Sequence, residues 1–241
     1  MSGHSHYATI KRQKEANDAA RGKTFSKLAK EIAIAVKTGG GGDPNSNFKL
    51  RMVMDKAREV NMPKDNVERA IAHATSTAEA IEEVSYEGFG PSGVAVMVVA
   101  ATDNRNRTAQ EIKNIFDRAG GRLGGPGSVS FNFENKGFLL VEKDADPESQ
   151  MLKLIDLGVE DVNETPDGIE VYVQPDKLSQ TKKNLEEAGF KVTSAEISME
   201  AKSYQTISDV KEASKVMSFL DLLNDHDDVQ QVYSNADIVN V

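Results

Sequence analysis

Near residue 80 the hydrophobic pattern changes its period, and that change limits what the chain can fold into. Before it, apolar residues recur at the spacing of one helix face. After it they fall into short alternating or continuous blocks bounded by Gly and Pro, the pattern of strands. Upstream, Phe25, Leu28, Ala29, Ile32 and Val36 predict a helix with Thr24 as its N-cap, ended by residues 39–44 (Gly-Gly-Gly-Gly-Asp-Pro). A second helix is expected over 45–60, with Phe48, Met52, Val53, Ala57 and Val60 as its apolar side. Pro63 and Asp65 suit the first turn of a third, whose face is Val67, Ala70, Ile71 and Ala74. Residues 1–23 carry little apolar surface and read as a basic arm, helical from Ile10 when docked.

Downstream, 84–89 and 94–101 flank Gly90-Pro91-Ser92-Gly93 as a β-hairpin, followed by a helix over 105–119 and a strand over 128–133. Strand 137–141, helix 147–157, strands 159–163 and 168–173, helix 175–188 and strand 191–199 then give the order β-α-β-β-α-β, the ferredoxin-like split motif. A helix over 208–224 and a strand over 229–233 remain. The expected class is therefore α+β: a three-helix domain (1–78), an α+β domain made of 79–134 and 204–241, and a ferredoxin-like domain (135–203) inserted into it. Two α+β domains in series are the alternative. The polar stretch 75–83 predicts a small interface and relative rotation of the first domain.

Charge is segregated along the same lines. Residues 1–75 hold 14 Lys and Arg against 8 Asp and Glu, a net of +6; the chain totals of 29 and 38 leave 15 against 30, or −15, for the rest. A chain so divided can present its basic end to phosphates and keep an acidic body in solvent. Cysteine is absent, which excludes disulfides, thiolate metal sites and thiol catalysis. The first 23 residues have no apolar signal core, and the apolar run 94–101 is too short to span a bilayer. A cytoplasmic protein with no membrane contact, expected to be a monomer, is the reading.

The basic arm is the main candidate for binding. Lys11, Arg12, Lys14, Arg21, Lys23, Lys27 and Lys30 follow Tyr7, a possible stacking group. On a helix Lys23, Lys27 and Lys30 share one stripe; the bland alternative is a solvated face. Arg105 and Arg107 form a second patch, and Arg122 sits in a glycine-rich run. That run, 120–127, lies between a helix and a strand, the reverse of a dinucleotide cradle, and reads as a connection needing positive φ. Gly22-Lys23-Thr24 lacks the upstream glycine and strand of a phosphate loop. His4 and His6 lack a third metal ligand, and Asp225-His226-Asp227-Asp228 reads as a solvated turn. There is no Gly-x-Ser-x-Gly nucleophile motif. The expectation is no enzyme, no metal and no cofactor.

Several long runs carry a family likeness: Met1-Ser-Gly-His-Ser-His-Tyr-Ala-Thr-Ile10, Gly40-Gly-Gly-Asp-Pro44, Asn61-Met-Pro-Lys-Asp-Asn66, Tyr86-Glu-Gly-Phe-Gly-Pro91, Thr102-Asp-Asn-Arg-Asn-Arg-Thr108 and Asp228-Val-Gln-Gln-Val-Tyr-Ser-Asn-Ala236. In these the chain resembles the YebC/PmpR family over essentially its whole length. The resemblance implies three domains and a role as a DNA-binding transcriptional regulator. It also carries a translational alternative, since the mitochondrial relative is a translational activator and the family has been tied to the ribosome. Where members usually have Lys-Trp after His-Ser, this chain has His6-Tyr7, one charge and an indole fewer. The leading expectation is a non-enzymatic nucleic-acid-binding regulator, with DNA and ribosomal or transfer RNA, the ribosome included, as competing targets. A protein-binding adaptor is the second class.

Overall fold

The computed structural model describes residues 18–76 and 81–239. Three helices come first: α1 (Asp18–Thr38), α2 (Phe48–Glu59) and α3 (Lys64–Ser76). They close on a core of Leu28, Ile32 and Val36 from α1, Leu50, Val53 and Ala57 from α2, and Val67 and Ala74 from α3. Thr24 is not the N-cap: α1 already includes Asp18, and Thr24 lies inside it. Nothing in Asp-Ala-Ala-Arg-Gly-Lys stops a helix, and tertiary contacts of the lysine stripe hold this first part of α1 in place.

The start of α2 is fixed by one side chain. Asn47 is fully buried. Its Oδ1 accepts from the Leu50 N–H at 3.0 Å, and its Nδ2 donates to the carbonyls of Ala35 at 2.8 Å and Gly41 at 2.7 Å. The cap is therefore Asn47, so that α2 begins at Phe48 rather than at 45, and it ties α1, the glycine connection and α2 together. Gly39 is needed there, since a Cβ would lie 2.1 Å from Asn47 Oδ1 and 2.7 Å from the Ala35 carbonyl.

The body that follows is α+β. Strands β1 (Glu82–Phe89) and β2 (Ala95–Thr102) form the expected antiparallel hairpin, Glu82 opposite Thr102 and Phe89 opposite Ala95. Helix α4 (Arg105–Arg118), a two-residue strand β3 (Arg122–Leu123), and after the insertion β8 (Gln205–Ile207), α7 (Val210–Asn224), β9 (Val229–Ser234) and β10 (Ala236–Ile238) complete it. The sheet runs β3-β1-β2-β9, with β8 and β10 as a separate parallel pair that the sequence did not suggest. Val96, Val98 and Ala100 of β2 meet Ile112 and Phe116 of α4 and Phe219 and Leu223 of α7 in one core. The Phe116 and Phe219 rings meet edge to face at 4.9 Å. Met97 and Ala101 alternate to the other face, are also buried, and α1 packs against β2 and β9. The helical domain and this body form one compact unit, so the expected small interface gives way to a docked helix.

The expected strand over 128–133 does not form. Ser130–Asn132 is a short 3-10 turn, and a single strand, β4 (Phe133–Val141), takes in the residues read as two. The cause is Glu87 on β1. Its Oε1 accepts from the Gly127 N–H at 2.9 Å, and its Oε2 from Val129 at 2.8 Å and Ser130 at 2.9 Å. Those N–H groups are thus unavailable to a strand ladder. Burial pushes the Glu87 pKa upward, but these donors more than reverse it, and it stays below its ordinary value.

Phe133–Lys202 forms the second compact unit, inserted into the first. It holds β4, α5 (Pro147–Asp156), β5 (Asp161–Thr165), β6 (Gly168–Val173), α6 (Leu178–Glu187) and β7 (Val192–Ala201). Its sheet order is β5-β6-β4-β7, antiparallel throughout, which is the ferredoxin-like arrangement. Leu139, Leu154, Ile169, Val171, Leu178 and Leu185 are fully buried, and Phe138 meets Tyr172 edge to face at 5.7 Å. Among the described residues no helix is long and apolar enough to cross a membrane.

Replacing Asn47 by Ala removes an N-cap and takes one donor from each of the Ala35 and Gly41 carbonyls. Asn47→Ala should cost about 2–3 kcal/mol, read as a lower urea midpoint with an unchanged slope. A loss below about 0.5 kcal/mol, the size of an ordinary surface change, would show that the cap is dispensable.

Candidate nucleic-acid interface

The lysine stripe forms, and it faces the protein itself. Lys23, Lys27 and Lys30 project from α1 toward the turn that ends α7. Lys23 Nζ donates to the Asp225 carbonyl, Lys27 Nζ to that of Asn224 at 2.6 Å, and Lys30 Nζ to that of Asp227 at 3.2 Å. These carbonyls belong to a helix C-terminus, where unpaired acceptors concentrate partial negative charge and cations are favoured. Carboxylates add to it: Lys23 lies 3.8 Å from Asp225 and 3.7 Å from Asp227.

At the centre is Asp228, 4% exposed. Its Oδ1 accepts from Lys30 Nζ at 2.5 Å, while its Oδ2 accepts from the Thr108 hydroxyl at 2.7 Å and the Arg107 guanidinium at 2.9 Å. Arg107 also reaches Asp103 at 2.9 Å. The Asp228 carbonyl accepts from the Ala101 N–H at 2.7 Å, and its own N–H donates to His226 Nδ1 at 3.1 Å. With Nδ1 accepting, the imidazole proton sits on Nε2, which lies 3.0 Å from Glu111 Oε2. The turn read as solvated therefore contains a buried carboxylate that accepts three side-chain bonds. Burial alone would raise the Asp228 pKa; the bonds from Lys30, Thr108 and Arg107 reverse that and hold it well below the carboxylate range.

Beside this cluster lies an open groove of about 780 Å³ lined by Lys23, Lys30, Arg107, Arg118, Glu111 and His226 among others. Ligand atoms of Glu111, His226 and Asp228 fall within 4.8 Å of one another. Each is engaged already, and two of the partners are the cations Lys30 and Arg107, so the arrangement is built around positive side chains of the protein rather than an ion.

Of the residues singled out in the sequence, Lys23, Lys27, Lys30 and Arg107 converge on this turn. Arg105 stands apart, 3.6 Å from Glu82. Arg122 is exposed on β3, and Arg21 is exposed on α1. Tyr7, Lys11, Arg12 and Lys14, like His4 and His6, lie outside the described residues. Gly22-Lys23-Thr24 lies within helix α1, which leaves no loop to wrap a phosphate. Sequence reasoning missed Asp228, Thr108, His226 and Glu111 as partners. The available signal was that Arg107, Thr108 and Asp228 fall in two of the runs that carry the family likeness.

Comparison with known proteins places these features in context. Residues 5–77 match the family model described as "TACO1/YebC protein N-terminal domain", and 81–236 the one described as "TACO1/YebC second and third domain". A protein of Geobacillus sp. (strain WCH70) is 48% identical over 242 residues, covering 98% of each chain. One of Sulfurihydrogenibium sp. (strain YO3AOP1) is 47% identical, covering 99% of this chain and 96% of its own. Both bear the name "Probable transcriptional regulatory protein". A crystal structure of a conserved hypothetical protein from Aquifex aeolicus superposes with a TM-score of 0.90 at 43% identity, covering 98% of each chain.

Two titrations follow from the cluster. Burial, then the neighbouring Lys23, lowers the Lys27 pKa to about 8, with Asp225 and Asp227 opposing. The unfolded chain keeps that proton up to about 10.4, so between these values the unfolded state binds more protons and stability rises with pH. Lys27→Met should flatten that rise in urea unfolding measured from pH 8 to pH 10; an identical pH profile would show that Lys27 titrates normally. Asp228 behaves in the opposite range. Its stabilisation is present above the unfolded pKa of about 3.9 and is lost as pH falls toward the lower folded value. Asp228→Ala should lower the urea midpoint at neutral pH, because Lys30 and Arg107 lose the carboxylate they share; an unchanged midpoint would show that the cluster is dispensable.

Proposed function

Because the chain belongs to the TACO1/YebC family, we propose that it is a nucleic-acid-binding regulator of gene expression that works by binding and not by catalysis. The observation that carries this reading is the segregation of charge: +6 on residues 1–75 against −15 on the remainder of 29 basic and 38 acidic residues. The names of the relatives point to transcription and hence to DNA as the first target. The reading assigns phosphate contact to Lys11, Arg12 and Lys14 of the arm, with Tyr7 stacking, and to Arg21 and Arg122. It moves Lys23, Lys27, Lys30 and Arg107 into the scaffold, since their charge is taken up by the 224–228 turn.

That reassignment also supports a second reading. With its lysine face against the turn, α1 has no basic face to lay in a major groove. Contact through an arm and loops suits a structured RNA, ribosomal or transfer, as well as it suits a duplex. An adaptor role, in which the acidic body docks a protein, is the third.

Charge reversal separates these. Lys11, Arg12 and Lys14 changed together to Glu should weaken binding to DNA and RNA. If each contacts one phosphate, the slope of log affinity against log salt should become shallower by about 2 to 3. An unaltered slope and affinity in fluorescence anisotropy would leave the adaptor role standing instead.

A further inference from the structure

Helix α5 of the inserted unit turns apolar side chains to water as well as to its own core. Pro147 opens it, and Asp146 caps it by accepting from the Ser149 N–H at 3.2 Å. The buried Gln150 holds its N-terminal end, accepting from the Asp144 N–H at 2.9 Å and donating to the Glu142 carbonyl at 2.8 Å. Gln150 and Leu154, four residues apart, are both buried and define the core side. On another side Leu152 is 65% exposed and Ile155 51%, with Met151 half-buried beside them. Met151 and Leu152 stand four and three residues before Ile155, so the three form one strip along the helix.

A single exposed apolar residue needs no explanation, but a cluster does. Among the described residues nine large hydrophobic side chains are exposed, and three of them, Leu152, Ile155 and Leu157, fall on α5 and its C-cap. Their surroundings are acidic. Residues 144–164 contain seven Asp and Glu against one Lys. That residue, Lys153, falls on the side of the helix away from Ile155. Glu148 stands four residues before Leu152 and Asp156 four after it, so both border the strip. Among the described residues neither has an ion-pair partner, whereas Glu160 and Glu164 nearby are held by Lys136 and Lys143.

We propose that the exposed strip of α5 is a docking surface for a basic amphipathic helix of a partner protein. The apolar side of that helix covers Met151, Leu152 and Ile155, and its Lys and Arg reach Glu148 and Asp156. Charge complementarity selects this occupant. The carboxylates beside the strip repel phosphates and anionic lipid headgroups, and two copies of α5 laid together would set carboxylate against carboxylate. A helix is the matching shape, because a ridge at i, i+3 and i+4 spacing seats in the groove of another helix. The surface adds a protein contact to the nucleic-acid reading and does not depend on it.

The test uses the full chain and three labelled synthetic peptides of roughly 18 residues, about five helical turns. One has Leu at i, i+3, i+4 and i+7 spacing and Lys elsewhere, the second has Glu in place of Lys, and the third scrambles the first. In fluorescence anisotropy only the first should bind, and more weakly as salt rises. Leu152→Ser together with Ile155→Ser should weaken it by about 10-fold or more, with the urea midpoint of the chain unchanged. Glu148→Lys together with Asp156→Lys, both exposed, should weaken it by about 3-fold or more at low salt. Val210→Ser removes another exposed apolar side chain, on the first compact unit, and should leave binding as it was. The chain contains no tryptophan, so Leu152→Trp installs a sole indole whose emission should shift to the blue as the first peptide binds. Should the serine variant lose stability, the lysine variant and the indole carry the test. No binding by the wild-type chain, equal binding of the Lys and Glu peptides, unchanged affinity in the α5 variants, an equal loss in Val210→Ser, or an indole blind to the peptide overturns the docking surface. So does a wild-type dimer in sedimentation that the serine variant breaks, which would make a second copy the occupant. The two proposals fail separately. If the chain binds the Lys peptide at α5 but no DNA or RNA, only the nucleic-acid reading falls; in the reverse case only the docking surface does.

Discussion

The first compact unit is organised around a carboxylate that water hardly reaches. Asp228 joins α1 through Lys30, α4 through Arg107 and Thr108, and β2 through the Ala101 N–H. A buried charge is costly unless each lone pair is met. Here two cations and a hydroxyl meet them, and they arrive from separate segments of the chain. The cluster can therefore form only when the helical domain and the α+β body are both folded and docked. It makes one cooperative unit of two regions that differ in class, in hydrophobic period and in charge.

The same device recurs on a smaller scale. Asn47 gathers two carbonyls and one N–H at the α1–α2 connection; Glu87 gathers three N–H groups of the glycine-rich loop. In each case a buried polar side chain stands in for the ladder or helix partners that an irregular segment lacks. Glycine supplies the conformations and the side chain supplies the bonds. This is how connections rich in glycine become fixed surfaces.

For function the consequence is a redistribution of the positive charge. All three lysines of the stripe that a sequence reader would offer to phosphates are committed to holding α1 on the body. The α1 stripe therefore serves as scaffold.

The succession of elements was legible in the sequence because hydrophobic period and turn chemistry are local. The three helices, the β1–β2 hairpin and the β-α-β-β-α-β order of the inserted unit needed nothing beyond them. The errors fell where a distant group competes for backbone atoms. Ser128 to Phe133 alternates like a strand, yet Glu87, some forty residues earlier, takes its N–H groups. Thr24 suits a cap, yet α1 continues through it because its lysines find partners about two hundred residues away. Charge totals likewise identified a basic end and an acidic body, but not which cations face outward. A charge is assigned to ligand or scaffold by the partner across from it, and that partner, Asp228 above all, enters the neighbourhood only when the chain has closed.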